Sequence, residues 1–348
     1  MLFVVIACSC VRAQDARFSQ LSTTPMLNNP ALTGVMNGTL RLSVNYQSLY
    51  TSVQNAEGYQ SVAAAVELRR PVGRVNYVGI GVQLQHDRAG STDFVRSVGA
   101  LSASYQQQLH SGGRGGRYSH YLSGGVQVGV GQRGFDINKL WFSEQYFVDP
   151  GTRAAYVDRN LATGEAFSGI GGQLYPDVST GLTWFATFGD RAGAYFGGAV
   201  YHLTRPNVSP LPEYTDLLAR RYVAYGGGEL PLGRGYLSLL PAARVMLQGP
   251  SRSAMAGGSL RYTERAWREV ALRVGTYTQI TNVHESTTGL GALVVLVGLE
   301  TEDLQLGLSY DITTSGLREV NSRRGGFELS IIYTRGEAVG QKVRCPTF

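Results

Sequence analysis

The sequence predicts an all-β protein: a single transmembrane antiparallel β-barrel of about 14 strands, with an N-terminal arm and a short C-terminal periplasmic tail. Three observations carry this. Segments of about ten residues alternate apolar and polar side chains along most of the 348 residues. Charged residues make up only 16%, against about 25% in a typical soluble domain. Beyond the N-terminus no apolar run reaches the roughly 18 residues of a membrane helix. A soluble sandwich or propeller is the alternative that composition alone leaves open.

The alternation is clearest near the end of the chain. Leu304, Leu306, Leu308, Tyr310 and Ile312 alternate with Gln305, Gly307, Ser309, Asp311 and Thr313. A strand places every second side chain on one face, so the five apolar residues share a surface. Phe327, Leu329, Ile331 and Tyr333 repeat the pattern, and Leu290–Gly298 precedes both. Earlier segments read the same way. The first five strands are expected over 39–50, 59–69, 77–86, 93–109 and 118–132. After the longest loop (133–173) come 177–188 and 192–203. A second long loop (204–219) precedes 221–230, 236–248, 253–262 and 268–279.

An even strand number returns both chain ends to one side. The short connections at 70–74, 189–190, 231–234, 264–267 and 299–302 then fall together, and the long ones at 133–173, 204–219 and 314–324 fall opposite. Short periplasmic turns and long outer loops are the asymmetry of an outer-membrane barrel. Connections 88–92 and 249–252 are short for the outer side, and 111–117 is long for the inner. Hydrocarbon offers no partner to a backbone N–H or C=O, so the sheet must close on itself. Gly79, Gly81, Gly129 and Gly131 fall on the inward face, where they leave room for strand curvature or a plug; bending of the barrel is the expectation adopted.

Residues 1–13 read as an export signal, with apolar Leu2–Ala7 and small residues at Val11-Arg12-Ala13, although a basic start is missing. Val5-Ile6-Ala7-Cys8 also resembles a short lipoprotein box. Cys8 and Cys10 leave with the signal, so Cys345 alone remains and no internal disulfide forms. Residues 14–37, with two prolines near several amide side chains, read as an arm or plug segment. The barrel is expected over 38–336 and the tail over 337–348. The net charge of +6 is modest and its arginines are scattered, unlike the clustered footprint of a nucleic-acid binder.

Tests for chemistry return little. Gly129-Val130-Gly131-Gln132-Arg133-Gly134 matches a dinucleotide fingerprint, but that site needs a following helix, and none is predicted. The five histidines show no metal-ligand spacing, and His284-Glu285 lacks the second histidine of a zinc motif. His86-Asp87 has no nucleophile placed beside it. No enzyme, cofactor or metal is expected.

Several stretches together resemble one known family. They are Phe18-Ser19-Gln20, Pro25, Asn29-Pro30-Ala31-Leu32-Thr33-Gly34, Arg41–Tyr46, Asp87-Arg88-Ala89-Gly90, Asp136-Ile137-Asn138-Lys139-Leu140, Tyr201–Asn207, Ser309-Tyr310-Asp311, Gly325–Ser330 and the ending Cys345-Pro346-Thr347-Phe348. Their order along the chain is similar to that of the PorP/SprF family of type IX secretion system membrane proteins. The resemblance implies an outer-membrane barrel of Bacteroidota that aids secretion or surface anchoring of large secreted proteins, in some species adhesins for gliding motility. It implies three kinds of partner: outer-membrane lipid, type IX secretion subunits, and a secreted protein or adhesin with a C-terminal targeting domain. Asp136, Lys139, Trp141 and Tyr146 in the long outer loop are the residues expected to meet the exported protein; a lid packed on the barrel mouth is the alternative. The arm, and the tail with Cys345, Pro346 and Phe348, are expected to meet periplasmic subunits. An outer-membrane channel or hydrophobic-solute transporter could use the same barrel.

Overall fold

The computed structural model describes residues 15–50, 58–90, 93–112, 118–136, 139–162, 164, 172–189, 192–209, 214–233, 236–263, 270–284, 287–316 and 324–336. The expected signal with Cys8 and Cys10, Ile137-Asn138, Glu285, and the tail with Cys345, Pro346 and Phe348 lie outside the described residues.

Strand follows strand: β1 (Leu40–Leu49), β2 (Tyr59–Val72), β3 (Asn76–Ala89), β4 (Phe94–Gly112) and β5 (Tyr118–Gly134). Two three-residue strands, β6 (Tyr146–Val148) and β7 (Ala155–Val157), form a small hairpin in the long loop. Then come β8 (Leu174–Phe188), β9 (Ala192–Tyr201), β10 (Arg221–Pro231), β11 (Leu237–Gln248) and β12 (Ser251–Thr263). The last four are β13 (Ala271–His284), β14 (Thr287–Glu300), β15 (Leu304–Thr313) and β16 (Arg324–Arg335).

All except β6 and β7 join one closed antiparallel barrel of 14 strands. β5 pairs with β8 across the long loop. β1 pairs with β16 from Leu40↔Arg335 to Leu49↔Gly326, so no ladder edge is left at the seam. The shortest barrel strands have 10 residues and the longest has 19, enough for a tilted strand to cross hydrocarbon.

The burial pattern is inverted relative to a soluble protein. In β3, Ile80, Val82 and Leu84 are 54%, 45% and 60% exposed, while Gln83 and Gln85 are buried. In β15, Leu306, Leu308 and Tyr310 face out, and Ser309, Asp311 and Thr313 face in. Apolar side chains therefore form the outer wall and polar ones line the lumen, as a bilayer demands. Every predicted strand is present, most of them extended by a few residues.

The lumen is not empty. Residues 15–36 enter it and include two short helical turns, Pro25–Asn28 and Pro30–Leu32. Phe18, Met26, Ala31, Leu32 and Val35 are buried there. Of the two readings of this segment, arm or plug, the structure shows a plug and corrects the expected contact with periplasmic subunits: its length is enclosed by the barrel wall, and only its last residues reach the inner rim.

It also corrects the reading of Gly79 and Gly81 as bending points. A Cβ at Gly79 would stand 2.1 Å from the Thr33 carbonyl oxygen, and one at Gly81 would stand 2.9 Å from Met26 Sδ. Those glycines let the inserted segment touch the wall. Gly129 instead faces the Gly99 carbonyl of the next strand, and Gly131 faces the ring of Tyr175. The fingerprint-like run Gly129–Gly134 is a continuous part of β5. His86 is exposed and contacts Ser97, whereas Asp87 turns inward to Arg96, so the two form no pair.

Candidate functional site

The site that the fold builds is the plugged lumen with its outer mouth. The plug is held by bonds that few other side chains could make. Asn29 caps the turn that follows it, accepting from the Ala31 N–H at 2.8 Å. Its amide nitrogen lies 2.9–3.1 Å from the Leu182 and Gly198 carbonyls, Thr183 Oγ1 and the Tyr225 hydroxyl. Gly181 makes room for it, since a Cβ there would lie 2.0 Å from Asn29 Oδ1. Thr33 contacts Ser102 through its hydroxyl at 2.7 Å, and its carbonyl accepts from Ser104 Oγ at 2.6 Å.

Charged residues of the wall grip the plug backbone. Glu67 accepts the Gly34 N–H at 2.9 Å and a two-point bond from Arg41 at 2.8 and 2.6 Å. Arg41 also donates to the Val35 carbonyl, and Arg69 to that of Met36. On the far side Glu328 accepts the Ser19 N–H at 2.6 Å and lies 3.3 Å from that of Gln20. Ser19 Oγ donates to Asp311 at 2.7 Å. Arg244 donates to the Phe18 carbonyl at 2.7 Å and to Asn28 Oδ1 at 2.8 Å. The bonds from Arg41, Arg69 and Arg244 are charge-assisted and stronger than neutral ones, and those buried guanidinium groups require them.

The start of the plug is an ionic latch. Asp15, fully enclosed, lies 3.0 Å from Arg96, 3.0 Å from Arg221 and 2.7 Å from His202. His202 also contacts Asp177 at 2.8 Å, and Arg96 contacts Asp87 at 3.2 Å. Burial pushes the Asp15 carboxyl up, but Arg96, His202 and Arg221 together hold it well below the ordinary carboxylate range. Burial likewise opposes a charged His202, and Asp15 and Asp177 override it to raise its pKa.

The remaining strands also touch the plug. Ser123 donates to the Ala31 carbonyl, Tyr201 to that of Met26, and Arg221 to that of Leu27. Arg17 donates to Ser251, and Arg273 to Ser22. Leu21 packs on Met255, Tyr277 and Val294. Every barrel strand therefore meets residues 15–36. Beside Leu21 and Leu32 the space left is a cavity of about 20 Å³, room for little more than one water.

Above the plug the lumen widens into a vestibule of about 940 Å³. Asp15, Arg17 and Ser19 form part of its floor, and Tyr50, Tyr59, Arg88, Phe94, Arg252 and Asn282 line its wall. Those wall residues sit at the long-loop ends of their strands, so the vestibule faces outward.

The loop residues predicted for partner contact are partly brought together. Trp141 and Tyr146 are about half exposed and stack at 5.6 Å. Phe147 and Tyr156 stack at 5.8 Å on the adjoining hairpin. Gln145 is the buried hub that fixes this unit, donating to the Leu161 carbonyl and accepting from the Phe142 and Asp158 N–H groups. Lys139 is tied to the barrel rim instead, 2.6 Å from Asp93. Hydrogen bonds from Arg88 and Lys139 draw Asp93 down to about 2. The Asp136 carbonyl accepts the Lys139 N–H at 3.0 Å.

Sequence reasoning gave no role to the wall residues Glu67, Arg96, Arg221, Arg244 and Glu328, although Glu328 lies in a stretch that carries the family resemblance. Their signal was a charge on the polar side of a membrane strand, where a position facing only water needs none.

Polar lumen, apolar belt, closed seam and loop asymmetry define a plugged β-barrel of the Gram-negative outer membrane. The model of the type IX secretion system membrane protein PorP/SprF matches residues 11–333, and the chain belongs to that family. No curated protein matches. Among solved structures, the CymD monoaromatic hydrocarbon channel is similar at 12% identity, covering 93% of this chain and 96% of that one, with a TM-score of 0.48. A TodX deltaS2S3 mutant monoaromatic hydrocarbon channel is 12% identical over 88% of this chain and 92% of its own, with a TM-score of 0.44. CdiB from Acinetobacter baumannii is 9% identical over 85% of this chain, which spans 60% of that longer chain, with a TM-score of 0.43. At such identities these likenesses concern barrel architecture only.

Proposed function

We propose that this barrel is a permanently closed outer-membrane scaffold of type IX secretion, which helps large secreted proteins such as adhesins to reach or stay on the surface, in some species for gliding, and conducts nothing itself. One observation carries the reading: residues 15–36 touch every strand of the barrel, by hydrogen bonds, ion pairs or packing, and leave beside Leu21 and Leu32 a cavity of only about 20 Å³. A channel needs a continuous lumen. Here a path would require breaking the Glu67, Glu328 and Arg244 grips together.

The working surfaces are then at the two rims. On the outer side the Trp141/Tyr146 pair and the Phe147/Tyr156 hairpin offer stacked rings outside the bilayer, the residue types that dominate protein interfaces. Asp136 and Lys139 orient that loop on the rim. On the inner side the tail with Cys345, Pro346 and Phe348 is the segment proposed to meet secretion subunits. No catalytic step is assigned to the protein.

The test is affinity purification from outer membranes in mild detergent with mass spectrometry, beside planar-bilayer recording of the pure barrel. Co-purification of type IX subunits or a large secreted protein, with no conductance, supports the scaffold. A barrel that purifies alone and opens stable pores would falsify it and favour a solute channel.

A further inference from the structure

The direction in which the plug is threaded has a consequence for the amino terminus. Its contacts form a ladder of depth. Asp15 N–H donates to Gln248, the last residue of β11, beside the outer turn at Gly249–Pro250. Its carboxylate meets Arg221, the first residue of β10, and His202, just past the end of β9. Ser19 and Gln20 lie deeper, at Glu328 and Asp311. Asn29 is deeper again, at Thr183. Thr33 and Met36 reach Ser104 and Arg69, near the inner turn between β2 and β3. Thr39 closes the descent by donating its N–H to the Arg335 carbonyl, at the inner end of β16.

We infer that the plug runs from outside to inside, so that its amino-terminal end, at Asp15 and Ala16, opens on the vestibule and faces the cell exterior. Asp15 and Ala16 line that space. Downward exit is closed by the plug itself, and sideways exit by the sealed barrel wall. The vestibule therefore holds the amino-terminal end of the plug, at Asp15 and Ala16, within reach of the cell exterior. Periplasmic subunits meet the other end of the barrel.

The test uses single cysteines in a Cys345→Ser background of the full-length protein, labelled on whole cells by a membrane-impermeant maleimide. Ala16→Cys probes the inference, Ser315→Cys marks the outer rim, and Asp303→Cys marks an inner turn. Ala16 and Ser315 should label on intact cells, and Asp303 only after permeabilisation. Labelling of Ala16 together with Asp303, only after permeabilisation, overturns the inference, as does no labelling of Ala16 in either preparation. Labelling of Asp303 on intact cells overturns the barrel orientation on which it rests. Should Ala16→Cys fail to yield a heat-modifiable barrel, an epitope placed between Gln14 and Asp15 decides. Antibody binding to intact cells supports the threading, and binding only to permeabilised cells refutes it. None of these readouts depends on the scaffold function.

Discussion

Asp15 is a carboxylate without solvent, between two guanidinium groups and an imidazole. Replacing it by Asn leaves Arg96 and Arg221 buried beside a neutral amide. Breaking a buried ion pair in this way costs about 3–5 kcal/mol. Asp15→Asn should therefore lower the temperature at which the detergent-solubilised barrel loses its folded mobility on a gel. The latch also predicts a pH profile. Folded Asp15 titrates below its free value of about 3.9, so its contribution is present above that pH and is lost as pH falls through the folded value. Folded His202 titrates above its free value of about 6.5, so its contribution is complete below that pH and fades as pH rises through the raised value. Stability should be greatest between about pH 4 and 6.5, and His202→Gln should flatten the alkaline limb and, because His202 also helps hold Asp15 down, weaken the acid limb.

At the scale of the element, the plug is a segment with almost no regular structure that is stable only because the wall supplies its partners. Its seat can be blocked from the wall. A Cβ at Gly125 would stand 2.4 Å from the Ala31 nitrogen, a backbone atom that cannot rotate away. Gly125→Val should expel the plug and open a conductance in planar bilayers. Gly124→Val, on the opposite face where the nearest atom is 3.5 Å away, should stay closed. The converse variant fixes the plug. Thr33 Oγ1 and Ser102 Oγ are 2.7 Å apart, so Thr33→Cys with Ser102→Cys should form a disulfide across plug and wall. A locked scaffold keeps its secretion activity under oxidising conditions; a gate that must open loses it.

The strand ladder was legible in the sequence because a membrane wall imposes a period of two on every strand. Each predicted barrel strand lies within a few residues of an observed one, even where lengths differ. The plug contacts were not legible, because each joins residues on different segments, many of them hundreds of positions apart. Ser19 meets Glu328, and Asp15 meets Arg221, across nearly the whole chain or most of it. The stretches that carry the family resemblance supply both sides of these contacts, Phe18-Ser19-Gln20 against Glu328 and Asp311, and His202 and Asp87 around the latch. Sequence order displayed them as separate motifs, and the barrel assembles them into one.

For the whole molecule, closure in two senses decides behaviour. The sheet closes on itself to satisfy its backbone in lipid, and the plug closes the lumen. What remains for recognition is the rims, and the outer rim carries an exposed aromatic unit. Trp141→Ala combined with Tyr146→Ala should reduce recovery of a secreted partner in detergent pull-downs while leaving the folded mobility of the barrel unchanged. Loss of folding instead would assign those rings to structure. By itself the sequence determined the all-β class, the alternation of lipid-facing and lumen-facing residues, the strand number and the side of each loop, because these follow from local periodicity and connection length. Only the tertiary structure decided that residues 15–36 fill the lumen, that Gly79 and Gly81 admit them, and that the arm is not periplasmic. Those facts depend on which distant side chains meet, and buried charge pairs and close glycine contacts leave no local pattern along the chain.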